Sequence, residues 1–430
     1  MSDTPSPLSA PWSRGKLFAF RATFAFFVPI LTVSWTYLAP PRVSGQLESF
    51  GGFLPACNEA LGRWAMANVL RLPPHSAGSG PGHPLTPFIL LGVLAVISVA
   101  AAAVWSLLHP QAESPAGAWN WLHTAARYSL AAAMLGYGFA KVFPVQFGET
   151  VAGPELTQPV GQMTPNGLLW LFMGTSRTYA GFAGAIECLA GVLLLARRTA
   201  GLGALVALGA LVNVGMLDIA YGVPVLHVVT VLVLLAIVIA VPTLPRAMAA
   251  LIGSGPIRAP EPMRLFLNAR HDLRARTAGA LIGGLLVIGH AIHAQREVAA
   301  RREMSPPRLL RGVWQAEVAR DGRHAEEATQ ADTSAWRYFG FILRDRAMIR
   351  QRSGHTVYFD AVVDTMASTL LVTRRRGPTA TDTSRYRYSL EGGERLLLVP
   401  QDVTGGRPIT LHRLAPSEFR LTTAHAAWVW

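Results

Sequence analysis

Four ionisable side chains stand where the sequence is otherwise apolar, and they are the first residues that could do chemistry. Arg127 and Lys141 lie near the two ends of ARYSLAAAMLGYGFAKVF, Glu187 sits inside TYAGFAGAIECLAGVLLLA, and Asp218 ends LGALVNVGMLD. Charged groups in such runs face protein or a wet cavity, because an Arg or Asp in hydrocarbon costs at least about 2.5–3.5 kcal/mol. Two chemistries follow: ion pairs that register helices, or a polar pocket that holds a quinone or lipid headgroup or relays protons. On a helix, Arg127 and Lys141 share a face with Ala131, Met134 and Gly138, and Glu187 shares one with Ala180, Ala183, Gly184 and Gly191. Counted from the ends of their runs on one side of the membrane, Arg127 and Glu187 have comparable depth. A buried Arg127–Glu187 pair is therefore expected.

Lys141 belongs to the other end of its run, together with Asp218, His227 and Tyr137; Asn213 and Arg177 lie within reach. These six could line an outward-facing polar pocket. The alternative is that Lys141 and Arg177 snorkel to the interface while Asp218 caps a turn. His290 and His293 share a helical face, a spacing compatible with a metal or haem, but no other ligand spacing supports it. Motifs for a nucleophile elbow, a phosphate loop, a zinc protease or a CxxC pair are absent from the sequence, so no cofactor is evident beyond a possible quinone. Gly201 and Gly203 open an apolar run without a preceding strand and read as packing glycines. Cys57 and Cys188 read as inert thiols.

The elements that must position these residues are membrane helices. The chain has 430 residues, 51% hydrophobic and 15% charged, against roughly 25% charged in soluble domains. Its formal charge of +13 comes with no basic-aromatic patch or nucleic-acid motif, so it reads as membrane topology and no nucleic acid is expected as a partner. Apolar runs fall at 17–39, 88–108, 119–143, 178–196, 202–218, 225–244 and 278–294, which predicts about seven spans in a helical bundle. The first is read as an uncleaved anchor. Arg14, Lys16, Arg197 and Arg198, and the basic loop 245–276, all lie on one side if the N-terminus is cytoplasmic. The loop 144–167 holds Glu149 and Glu155 but no Lys or Arg; the loop 40–86 weakens the asymmetry with Arg42, Arg63 and Arg71. In it, ACNEALGRWAMANVLRL has the spacing of an interfacial helix.

After Gln295 the pattern changes to short alternating segments separated by turn signals, from GVWQAEV to AWVW. That predicts an all-β domain of eight to ten strands, a closed or nearly closed meander, on the outer face. The expected division is 1–110, two spans and an interfacial helix; 111–250, a four-helix core; 251–304, a basic loop, last span and linker; and 305–430, the barrel-like domain.

The segments RYSLAAAMLGYGFAKVFPVQF and TPNGLLWLFMGTSRTYAGFAGAIECLAGVLLLARRTAGLGALVALGALVNVGMLDIAYGVPV resemble the DoxX-like membrane proteins. The matching polar positions are Arg127, Tyr128, Lys141, Gln146, Arg177, Tyr179 and Glu187. The resemblance implies a four-helix core, extra N-terminal spans and a C-terminal β domain in the inner membrane of a bacterium. It also implies a role as accessory or scaffold subunit of a membrane redox complex, with a lipid surface and a protein partner. Where such members read LN…YDVPVK, this chain has Asp218, Gly222 and Leu226, which removes two charges of opposite sign and adds one acid. Two further readings stay open: a quinone- or lipid-handling enzyme with a buried polar site, and apolar-ligand binding through the β domain.

Overall fold

The structure, a computed structural model, describes residues 12–38, 60, 63–64, 66–69, 71, 85–110, 115–147, 153–253, 266, 268–317, 336–375, 381–402 and 407–419. Among these the chain forms α1 (Arg14–Leu38), α2 (Leu85–Leu108), α3 (Ala116–Val142), α4 (Pro165–Thr175), α5 (Arg177–Leu195), α6 (Ala200–Tyr221), α7 (Leu226–Ala240), α8 (Leu244–Ile252) and α9 (Ala269–Glu303). Eight strands follow: β1 (Val313–Ala316), β2 (Trp336–Leu343), β3 (Arg346–Gln351), β4 (Thr356–Asp364), β5 (Thr369–Arg375), β6 (Thr381–Glu391), β7 (Arg395–Pro400) and β8 (Ile409–Arg413).

Each of the seven apolar runs is helical, but seven crossings are not all supported by length and apolarity. Five helices, α1, α2, α5, α6 and α9, are long and apolar enough to cross a membrane. With 15 residues, α7 is short, and it continues after a 69° bend into α8, which makes a sixth candidate. The 27 residues of α3 are diluted by Asn120, His123, Arg127 and Lys141. The last helix is longer than its apolar run: the 35 residues of α9 extend about 52 Å. Of the expected interfacial helix, the described residues between 60 and 68 are helical; Cys57 and Arg42 lie outside the described residues.

One apolar core joins α1, α3, α5, α6 and α7, through Phe27, Leu130, Leu194, Leu211 and Leu235 among others. Arg21 ties α1 to the end of α2. Its guanidinium donates to Ser106 Oγ and to the His109 carbonyl, both at 2.8 Å, which places a cation where the helix leaves carbonyls unsatisfied. Gly222 ends α6 in the left-handed conformation (φ 65°), its N–H donating to the Asp218 carbonyl. The backbone thus explains the glycine in LDIAYGVPVL: a residue with a Cβ would be strained there.

The strands form a closed antiparallel meander in chain order, sealed where β1 pairs with β8 at Trp314 and Arg413. Eight strands are described; residues 420–430, which contain AWVW, lie outside the described residues. Trp314, Phe339, Phe341, Leu370, Leu396, Leu398 and Leu411 fill the interior, and Leu310 joins them from a 3₁₀ turn, Arg308–Leu310. A barrel of eight strands is just wide enough to be packed by its own side chains.

The molecule divides into two compact units, Met1–Val142 with Phe182–Ile292, and Phe143–Gly181 with His293–Trp430. The segment 143–181, assigned from sequence to the helical core, therefore groups with the barrel. Its 3₁₀ turn Pro154–Thr157 packs on β2. Ala347 and Ile349 face the barrel core, so by alternation Met348 and Arg350 face outward, yet they are 1% and 3% exposed. Gly354 leaves room for Gln162, whose Nε2 would lie 2.9 Å from a Cβ there. Burial pushes the Glu155 carboxyl above the ordinary carboxylate range, offset in part by its own backbone and by Arg350.

A raised pKa in the docked state means that docking takes up a proton. Docking of this segment is therefore stronger below that pKa and weakens as pH rises through it. Hydrogen exchange over residues 153–163, corrected for intrinsic rates, should show more protection in mild acid than at neutral pH. Glu155→Gln should remove the dependence, and a wild-type protein with flat protection would contradict this account.

Candidate functional site

The arrangement of the polar residues begins with glycines. A Cβ on Gly138 would lie 2.6 Å from Cys188 Sγ and 2.8 Å from the Gly184 carbonyl, and one on Gly184 would lie 2.6 Å from the Gly138 carbonyl. Gly191 likewise admits Leu135, whose Cγ would be 2.8 Å from a Cβ. The backbones of α3 and α5 therefore touch, antiparallel, in a register that these glycines set.

That register corrects the expected ion pair. Glu187 is held by Lys141, whose Nζ donates to its two carboxylate oxygens at 2.7 and 3.0 Å, with both residues buried. Arg127 lies roughly 21 Å further along α3, near the level of Arg197, whose charge it feels. Counting depth from the ends of hydrophobic runs assumed that the runs end at equal heights; the glycine contacts slide the helices past that alignment. Gly138, Gly184 and Gly191 were the signal that could have found it.

The outward pocket is assembled only in part. Tyr137 joins the Lys141–Glu187 pair, its ring centroid 5.7 Å from Nζ, and it also feels the charge of Asp218, which is buried at the end of α6. His227 instead sets its ring 6.3 Å from that of Phe88. Asn213 is exposed on α6. Arg177 is also exposed and belongs to the compact unit that contains the barrel. Ser176 caps α5, accepting from the Tyr179 N–H at 3.2 Å. His290 turns its Nδ1 to the Leu286 carbonyl at 2.8 Å and packs on Gly136. Among the described residues no group of three His, Cys, Asp or Glu could hold a metal ion.

At the Arg127 level, α3 and α5 open onto a groove closed on its third side by α9, a feature that sequence reasoning missed. Its volume is about 950 Å³ and its walls are mostly apolar. Gly279 lets α9 reach α3, since a Cβ there would lie 2.5 Å from Tyr128 Oη, and Gly283 sits against Leu195. Trp121 and Phe266 meet edge to face at the rim, 5.8 Å apart. Arg127 lines the groove with Arg197, Arg198 and Arg276. It is 4% exposed, leans over the Tyr128 ring at 5.0 Å, and its Nε has no hydrogen-bond partner. Buried Asp272 binds Arg197 at 3.0 Å and Arg276 at 2.9 Å, and the first of these ties the turn after α5 to α9. The groove can take a long apolar molecule whose polar end meets guanidinium groups.

The pair and the glycines make separable predictions. Glu187→Leu leaves Lys141 charged and alone, and should lower stability by about 3–5 kcal/mol, read as thermal unfolding in detergent. Lys141→Met with Glu187→Leu should recover most of that loss. Gly184→Leu should be at least as harmful as the single change, because the clash is with backbone; a silent Gly184→Leu would contradict the contact.

Comparison with known proteins adds one sequence relation. The chain is 36% identical over 103 residues, 24% of its length, to the uncharacterized protein YwoB of Bacillus subtilis (strain 168). It spans 64% of the length of that protein. No family model matches the chain, and no solved structure matches it. The DoxX-like resemblance rests on its motifs alone.

Proposed function

We propose that the protein is a multi-pass protein of a bacterial cytoplasmic membrane whose helical unit holds a lipid-like molecule in the groove between α3, α5 and α9. The observation that carries this reading is the groove itself: an apolar-walled space of about 950 Å³ within helices apolar enough to cross a membrane. That size suits a small-molecule site, and interhelical clefts are common places for one. The filled barrel interior makes the β domain the weaker host for an apolar ligand.

In the proposed topology α3 and α7 also cross, giving seven spans with the N-terminus inside and the barrel on the outer face. Arg14 and Lys16 before α1, Arg197 and Arg198 after α5, and the basic start of α9 support it. The groove then opens at the cytoplasmic leaflet, with Trp121 and Phe266 at headgroup depth. The DoxX-like resemblance adds the proposal of an accessory subunit in a membrane redox complex, for which a retained lipid or quinone would be a natural ligand. The Lys141–Glu187 pair favours a helix-organising role for those two residues within it.

A photoactivatable diazirine phospholipid tests the groove. Labelling of the protein in bilayers should concentrate on peptides of α3 and α9 that line it, and Ala275→Trp, which fills it, should remove that excess while leaving background labelling of α2. Uniform labelling of all spanning helices, unchanged by Ala275→Trp, would overturn the proposal.

A further inference from the structure

We infer that the groove selects a phospholipid with an anionic phosphate headgroup, and that Arg127 is its anchoring donor. This rests on the groove reading and adds the class of ligand. Arg127 lines the groove, is nearly fully buried, and has no carboxylate partner among the described residues; its Nε has no acceptor. A guanidinium without a counter-charge in a low-dielectric wall is costly unless an occupant supplies one. The surrounding charge points the same way. Arg127, Arg197, Arg198 and Arg276 line the groove, and the carboxylate held among them is that of Asp272.

A neutral quinone would accept one hydrogen bond and leave this positive charge uncompensated. A phosphate offers two oxygens to the planar fork of an arginine and carries the charge that the site lacks. Below it, Val192, Leu195 and Ile282 provide an apolar wall for an acyl chain. Asp272 acts as the built-in competitor, occupying Arg197 and Arg276 so that the headgroup's strongest new contact is Arg127.

The test uses the full chain in nanodiscs of equimolar phosphatidylglycerol and phosphatidylcholine, with retained lipids counted by native mass spectrometry after mild release. Wild type should retain phosphatidylglycerol over phosphatidylcholine in a ratio of about ten to one or greater, the scale of a charge-assisted contact. Arg127→Gln should bring the ratio near parity with the number of retained lipids unchanged, Arg127→Lys should fall between, and Asp272→Asn should raise the excess. If Arg127→Gln does not fold, Arg198→Gln, at an exposed groove position, should lower the excess partially. Millimolar inorganic phosphate should leave the excess intact; its loss would show that the site takes free phosphate and would overturn the lipid assignment. Retained lipid without headgroup preference would overturn this inference alone, whereas no retained lipid in wild type would remove the groove reading as well.

Discussion

The contact of two backbones at Gly138 and Gly184 is the constraint on which the arrangement of the helical unit depends. In lipid there is little hydrophobic gain from pressing one apolar helix on another, so close approach through small residues must supply the packing energy. Once a Cβ is forbidden at both positions, α3 and α5 have one register. Lys141 then falls beside Glu187, and the same register sends Arg127 to the level of Arg197, just past the end of α5. A satisfied ion pair and a buried guanidinium whose Nε has no acceptor are thus two results of one contact.

The two ends of this helix pair consequently differ in kind. At the Lys141 end the charges neutralise each other and Tyr137 lies over the ammonium, so little electrostatic demand is left for a ligand. Towards Arg127 the third helix is admitted by glycines as well, but there the clamp is Asp272 between Arg197 and Arg276, which spends one carboxylate on two cations. Closing α5 onto α9 in this way leaves net positive charge in an apolar wall. The asymmetry supports the proposal that binding chemistry belongs to the groove and structural chemistry to the pair.

Much of the fold was legible in the sequence, because period and apolarity are local properties. The seven apolar runs are helices, and eight of the alternating segments are the strands of a closed meander. What was not legible depended on relations between segments. The partner of Glu187 required the register of two helices joined by more than thirty intervening residues, and end-counting could not supply it. The grouping of 143–181 with the barrel has a sequence trace only in hindsight: Glu155 in a loop without Lys or Arg matches Arg350 on an outward strand position. The groove was hidden because its lining residues, such as Ala275, Gly279 and Leu195, carry no chemical signature of their own, and Arg127 had been assigned elsewhere.

Whether Arg127 could be a purely structural residue is decided by comparing it with Arg21. Both are arginines buried within helices of the same unit, at 4% and 3% exposure. Arg21 gives its guanidinium protons to Ser106 and the His109 carbonyl and stacks near Trp105, so it joins two helices and its burial is compensated inside the protein. Arg127 has the aromatic neighbour but lacks the acceptor at Nε, and it borders open space instead of a helix end. A residue placed only for packing would be better served by Met or Leu, which fill a similar volume without a desolvation cost. The difference between the two arginines supports the proposal that an anionic molecule enters the groove beside Arg127.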